Sequence, residues 1–161
     1  MIPIAVFAIV AALLFAGAFI SKRRFGLLGL ALTAGATLST IWSYDAGLVV
    51  SSTGLVPEGV ITQAVTQSLV VLLPAILLLF HGYSYKNLPS RIVGSLLFTI
   101  LALAFLVEPI GYALPLSGVG AEVYAQLKNY KDVIISVGVV LAIVDLFFTK
   151  PAAVSERGRR K

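Results

Sequence analysis

Cysteine is absent from this 161-residue chain, so disulfides, thiolate metal sites and cysteine nucleophiles are excluded. Charge is scarce as well. Asp, Glu, Lys and Arg make up 12% of the residues, about half the share usual in a soluble domain. There is one histidine, His81, and no acid lies near it in sequence. No Gly-x-Ser-x-Gly elbow, His-Glu-x-x-His pair, phosphate-cradling glycine loop or paired carboxylate is present, and the polar residues are scattered. These absences point to a non-enzymatic protein with no cofactor and no metal.

The chain is instead 59% hydrophobic, with a mean hydropathy of +1.02. One soluble core of this length cannot hide so much apolar surface, whereas lipid can cover it. Five long apolar runs are separated by short polar segments, and the basic residues crowd into every second gap. Lys22, Arg23 and Arg24 follow the first run, Lys86 and Arg91 the third, and Lys150, Arg157, Arg159, Arg160 and Lys161 the fifth; the other gaps hold only Lys128 and Lys131. Cationic loops stay in the cytoplasm during insertion. The expected fold is therefore all-α: a polytopic membrane bundle of five transmembrane helices, N-terminus outside and C-terminus inside. The spans fall at about 3–20, 25–43, 60–80, 89–107 and 133–148, forming one domain over 1–149 before a basic cytoplasmic tail, 150–161. The first run carries its charges after the apolar stretch, whereas a signal peptide carries them before it. It reads as a retained span. The net charge of +5 lies beside the spans, which suits topology and anionic headgroups at the cytoplasmic face rather than nucleic acid.

In span one, Ala8, Ala12 and Ala16 form a narrow seam that permits close helix approach. Span two places Thr33, Thr37 and Thr40 on one face with Gly29, a face suited to another helix, and is expected to be the most central. Trp42 and Tyr44 mark its outer end, with a loop expected over 44–59. Pro74 breaks the bonding of span three, and Pro89 suits the first turn of span four. Glu108-Pro109 is expected to stop span four, whose small face is Ser95, Thr99 and Ala102. After Ser117, a reasonable N-cap, the residues Val119, Val123, Leu127, Tyr130 and Ile134 recur at helical spacing. They predict an amphipathic outer helix over about 118–132 leading into span five; lying in the interface and projecting outward both fit the pattern.

Asp145 is the one acid deep within a span, near a helix C-terminus where the backbone dipole disfavours it. A cationic partner is expected from Lys150, Arg91 or Lys22–Arg24. Glu108 calls for Lys128 or Lys131 in the same way. Thr62, Gln63, Thr66 and Gln67, opposite Thr33, Thr37 and Thr40, make the polar cluster at membrane depth. It reads as interhelical packing or, alternatively, as a solute path along spans two and three. His81, Tyr83 and Tyr85 read as an interfacial belt; a lipid-modifying enzyme would need them to meet Asp145 or a headgroup.

Lys22-Arg23-Arg24-Phe25-Gly26-Leu27-Leu28-Gly29 is a basic-glycine turn into a glycine-rich second span, and Arg91-Ile92-Val93-Gly94 opens a later span with a basic residue and glycine. In these features spans one to four resemble the colicin V production protein family of bacterial inner-membrane proteins. A fifth span and an N-terminus without an acid depart from that pattern. The resemblance implies a multi-pass protein of the bacterial cytoplasmic membrane, accessory to toxin export or envelope homeostasis, with no catalytic site to transfer. The expected function is an accessory or scaffolding subunit whose partners are the bilayer and other membrane subunits or a second copy of itself. A small-solute transporter or channel subunit is the alternative.

Overall fold

A computed structural model describes residues 2–52, 59–82, 84–85, 87–113 and 119–148. Its elements are five α-helices: α1 (Ile2–Ser21), α2 (Phe25–Ser52), α3 (Val60–Leu79), α4 (Leu88–Ala113) and α5 (Val119–Phe147). The proposed partner Lys150, the basic tail, Glu58, Tyr83, Lys86 and the Ser117 cap lie outside the described residues. The first four helices are long and apolar enough to cross a membrane. In α5, Lys131, Asp132 and Asp145 leave a shorter uncharged stretch. Large apolar side chains such as Ile9, Leu13, Leu77 and Val140 face outward, where lipid rather than water suits them.

Helix boundaries depart from expectation in two places. The loop expected over 44–59 begins late, because α2 continues through Tyr44 to Ser52. The lone Gly47 costs a helix only about 1 kcal/mol, and no proline interrupts the stretch. Glu108-Pro109 does not stop α4, which runs on to Ala113. Pro109 removes one backbone donor, but its ring is buried. In the next turn, Tyr124 of α5 packs so closely on Gly111 that a Cβ there would lie 2.2 Å from the tyrosine ring. Tertiary packing thus holds a turn that local propensity would give up. Pro89 does fall in the first turn of α4, and the periodic segment after residue 118 joins the last apolar run in one unbroken helix of 29 residues.

The centre belongs to α4, which touches all four other helices, and not to α2 as the glycine-threonine face suggested. The buried arc of α4 includes Phe98, Leu101, Ala102, Leu106 and Val107, and the first four pack with Leu28, Leu32, Val71 and Ala142 into one apolar core. Span one also turns over. Its Ala8, Ala12 and Ala16 face outward, while Val10, Leu14 and Ala18 pack inward. Glycine matters most at two crossings. A Cβ at Gly35 would lie 2.0 Å from the Val71 carbonyl oxygen of α3, and one at Gly26 would lie 2.5 Å from the Ala142 carbonyl oxygen of α5.

Candidate functional site: the cationic end of the bundle

The C-termini of α1, α3 and α5 and the N-termini of α2 and α4 meet at one end. Helix termini leave backbone groups without intrahelical partners, and none of the five helices carries a basic residue in its own last turn. The missing donors come from other parts of the chain. Arg23, in the tight turn after α1, donates from Nε to the Leu79 carbonyl at 3.0 Å and from Nη2 to the Phe80 carbonyl at 2.8 Å. Its Nη1 donates to the Gly82 carbonyl. One guanidinium thereby caps the end of α3. Arg91 does the same for α1: its Nε donates to the Phe19 carbonyl, and its guanidinium carbon lies 3.8 Å from the centre of the Phe19 ring. Lys22 adopts φ 58°, the left-handed conformation that ends a helix. Its carbonyl accepts the Tyr85 N–H at 2.8 Å.

Asp145 reaches across from α5 to the start of α2. Its Oδ1 lies 3.1 Å from Arg24 Nη2, and its Oδ2 accepts the Gly26 N–H at 2.9 Å. The Phe25 N–H donates to the Tyr85 hydroxyl at 3.1 Å. The carboxylate therefore caps a helix N-terminus in trans, where the α2 dipole favours an anion. This offsets its unfavourable place at the end of α5. The Tyr85 ring lies over Gly94, where an added Cβ would come within 2.4 Å of it, and the Arg24 guanidinium carbon stands 5.4 Å from the ring centre. Arg24 Nε is buried without a hydrogen-bond partner among the described residues.

Burial pushes the Tyr85 phenol above its ordinary value of 10.0, and the Asp145 charge adds to that; the hydrogen bond from Phe25 and the Arg24 charge act the other way. A phenol whose pKa is raised by folding lends stability that is complete below pH 10 and is lost as the pH climbs through the folded value. The advantage of the wild type over Tyr85→Phe in thermal midpoint should accordingly shrink as pH rises above 10. Melting curves of both proteins in the same detergent across that range check it.

At the opposite end Lys131 pairs with Glu108, while Lys128 stays exposed. Glu108 is nearly half exposed, so the pair is worth less than about 1 kcal/mol. Four threonines of the expected polar cluster are turned back on their own helices. Thr33, Thr37, Thr40 and Thr66 each donate to a carbonyl three or four residues earlier. Ser95 and Thr99 of α4 do likewise. Thr62 provides the carbonyl that Thr66 uses. Gln63 and Gln67 line an open recess of about 430 Å³ with Val60 and Ala64, all from α3. His81 is exposed at the cationic end. Among the described residues no three His, Asp or Glu side chains gather to hold a metal.

Arg24 was within reach of sequence reasoning as one of three neighbouring cations. The capping by Arg23 and Arg91, and the meeting of Asp145 with the Gly26 N–H, were not. The available signal was the lack of basic residues in the last helical turns, which obliges the carbonyls there to find distant donors. Comparison with protein-family models, with curated proteins and with solved structures finds no match to this chain.

Proposed function

We propose that this chain is a five-span integral membrane protein of the bacterial cytoplasmic membrane, and a non-enzymatic accessory or scaffolding subunit of a membrane complex. Its cationic end faces the cytoplasm, which puts the N-terminus outside and the C-terminus inside. The fifth span is supported by the Arg24–Asp145 pair, since a paired carboxylate is far less costly at membrane depth than a lone one. The observation that carries the functional reading is the bundle's centre. It is filled by Leu28, Leu32, Leu101 and Leu106, and the hydroxyls at depth are tied to their own helices. Such an interior suits a packed support better than a polar path. Association with toxin export or envelope homeostasis follows from the family resemblance alone.

The transport alternative is favoured by the recess that Gln63 and Gln67 of α3 line. The cysteine-free chain makes both readings testable. Ser52→Cys should react with an impermeant thiol reagent from outside the cell and Ser84→Cys only from the cytoplasm. Thr33→Cys and Ser95→Cys should stay unmodified. Reaction at Thr33→Cys or Ser95→Cys in intact membranes, or a chain recovered alone after gentle extraction, would overturn the scaffold reading.

A further inference from the structure

A groove runs between α4 and α5, beginning at the cationic end. Its head is a recess of about 510 Å³ whose polar lining, among the described residues, is Arg24, Tyr85, Ser90 and Asp145. Its continuation is a crevice of about 290 Å³ walled by apolar side chains that include Ile100, Leu101, Val133 and Val137. The two share Phe25, Leu97 and Leu141, so they adjoin along the side of the bundle. From Ser90 to Leu101 the α4 wall runs about 17 Å, close to the roughly 15 Å of hydrocarbon in one leaflet.

The chemistry of the head is cationic on balance. Lys22, Arg23, Arg24 and Arg91 lie at this end of the bundle with Asp145 as the acid among the described residues there; Arg24 and Asp145 line the recess itself, and both oxygens of that carboxylate already have donors. Pro89 and Ser90, in the first turn of α4, form part of the rim. That turn offers backbone donors and the positive end of a 26-residue helix. Arg24 Nε adds a buried N–H with no acceptor among the described residues. A phosphate at this rim, joined to a chain of one leaflet's depth along the crevice, satisfies the head and the tail together.

We infer that the α4–α5 groove binds one anionic phospholipid of the cytoplasmic leaflet, its phosphate beside Ser90 and Arg24 and an acyl chain along Leu97, Val137 and Leu141. This rests on the five-span membrane reading above. The test uses the full chain reconstituted in phosphatidylcholine vesicles doped with phosphatidylglycerol, followed by native mass spectrometry of the lipid it retains. Wild type should hold one phosphatidylglycerol in preference to phosphatidylcholine. Ser90→Asp places an acid where a helix N-terminus tolerates it, yet it should lower that preference about fivefold, the effect of one charge near a lipid surface. Ser84→Asp, exposed and outside the groove, should leave the preference unchanged, and Val137→Phe should lower retention of both lipids by filling the crevice. Displacement of the lipid by inorganic phosphate alone would overturn the lipid assignment. A chain that floats with the vesicles but holds both lipids equally, or responds alike to the two aspartates, overturns this inference alone. A chain that fails to float overturns the membrane reading with it.

Discussion

Asp145→Leu should lower stability by about 2–3 kcal/mol, read as a fall in thermal midpoint in detergent. Breaking a buried ion pair from one side costs about 3–5 kcal/mol; here the side chains are 20% and 19% exposed, and solvent screening takes a share of that. Two losses coincide in this variant. Arg24 is left partly buried without its counter-charge, and the Gly26 N–H at the start of α2 is left without an acceptor. Asp145→Asn restores the acceptor but not the charge and should recover part of the loss. Arg24→Gln should cost less than either, because Asp145 keeps the Gly26 N–H and the α2 dipole. The double variant Arg24→Gln/Asp145→Asn should be more stable than Asp145→Asn alone. Equal losses for Arg24→Gln and Asp145→Leu would show that the helix cap contributes nothing beyond the ion pair.

Gly35→Ala should be at least as damaging, by about 3 kcal/mol. An added Cβ would meet the backbone of α3 at Val71, with the carbonyl oxygen at 2.0 Å and the carbonyl carbon at 2.8 Å. A side chain in that position could rotate away, but a backbone carbonyl inside a helix cannot. The two helices must part by roughly 1–1.5 Å before ordinary van der Waals separation returns, which loosens the surrounding apolar packing. Gly47→Ala provides the contrast within the same helix. Nothing lies within 4 Å of its added Cβ, so it should gain up to about 1 kcal/mol from helix propensity. A Gly35→Ala protein that melts with the wild type would mean that α2 and α3 do not approach so closely.

These two positions mark how far the sequence could be read. Apolar runs near 20 residues long announce helices α1 to α4 whatever their neighbours, because length and hydropathy are local properties. The helical spacing from Val119 to Ile134 likewise identified the first half of α5. Position within the bundle is not local. The glycines and threonines of α2 advertised a packing face, yet Thr37 and Thr40 are exposed, since each hydroxyl is satisfied within its own helix and gains little from a partner. The end of α4 was misjudged because Pro109 is a local breaker, whereas Tyr124 on Gly111 acts from a different helix. At the candidate site the need was legible and its solution was not. An acid at a helix C-terminus must find positive charge, but a positive end made of backbone N–H groups carries no residue code, and Gly26 stands 119 positions away.

The reach of that contact has a consequence for biosynthesis. Helices emerge from the ribosome in order, and α3, α4 and nearly all of α5 separate α2 from the residue that caps it. Until α5 is made and packed, the opening turn of α2 lacks its carboxylate, and Arg24 is without its counter-charge. The first hairpin is in the same position until residues 79–82 arrive to receive Arg23. Maturation is therefore sealed from the far end of the polypeptide, and a nascent chain truncated before Asp145 would present quality-control proteases with an unfinished helix start.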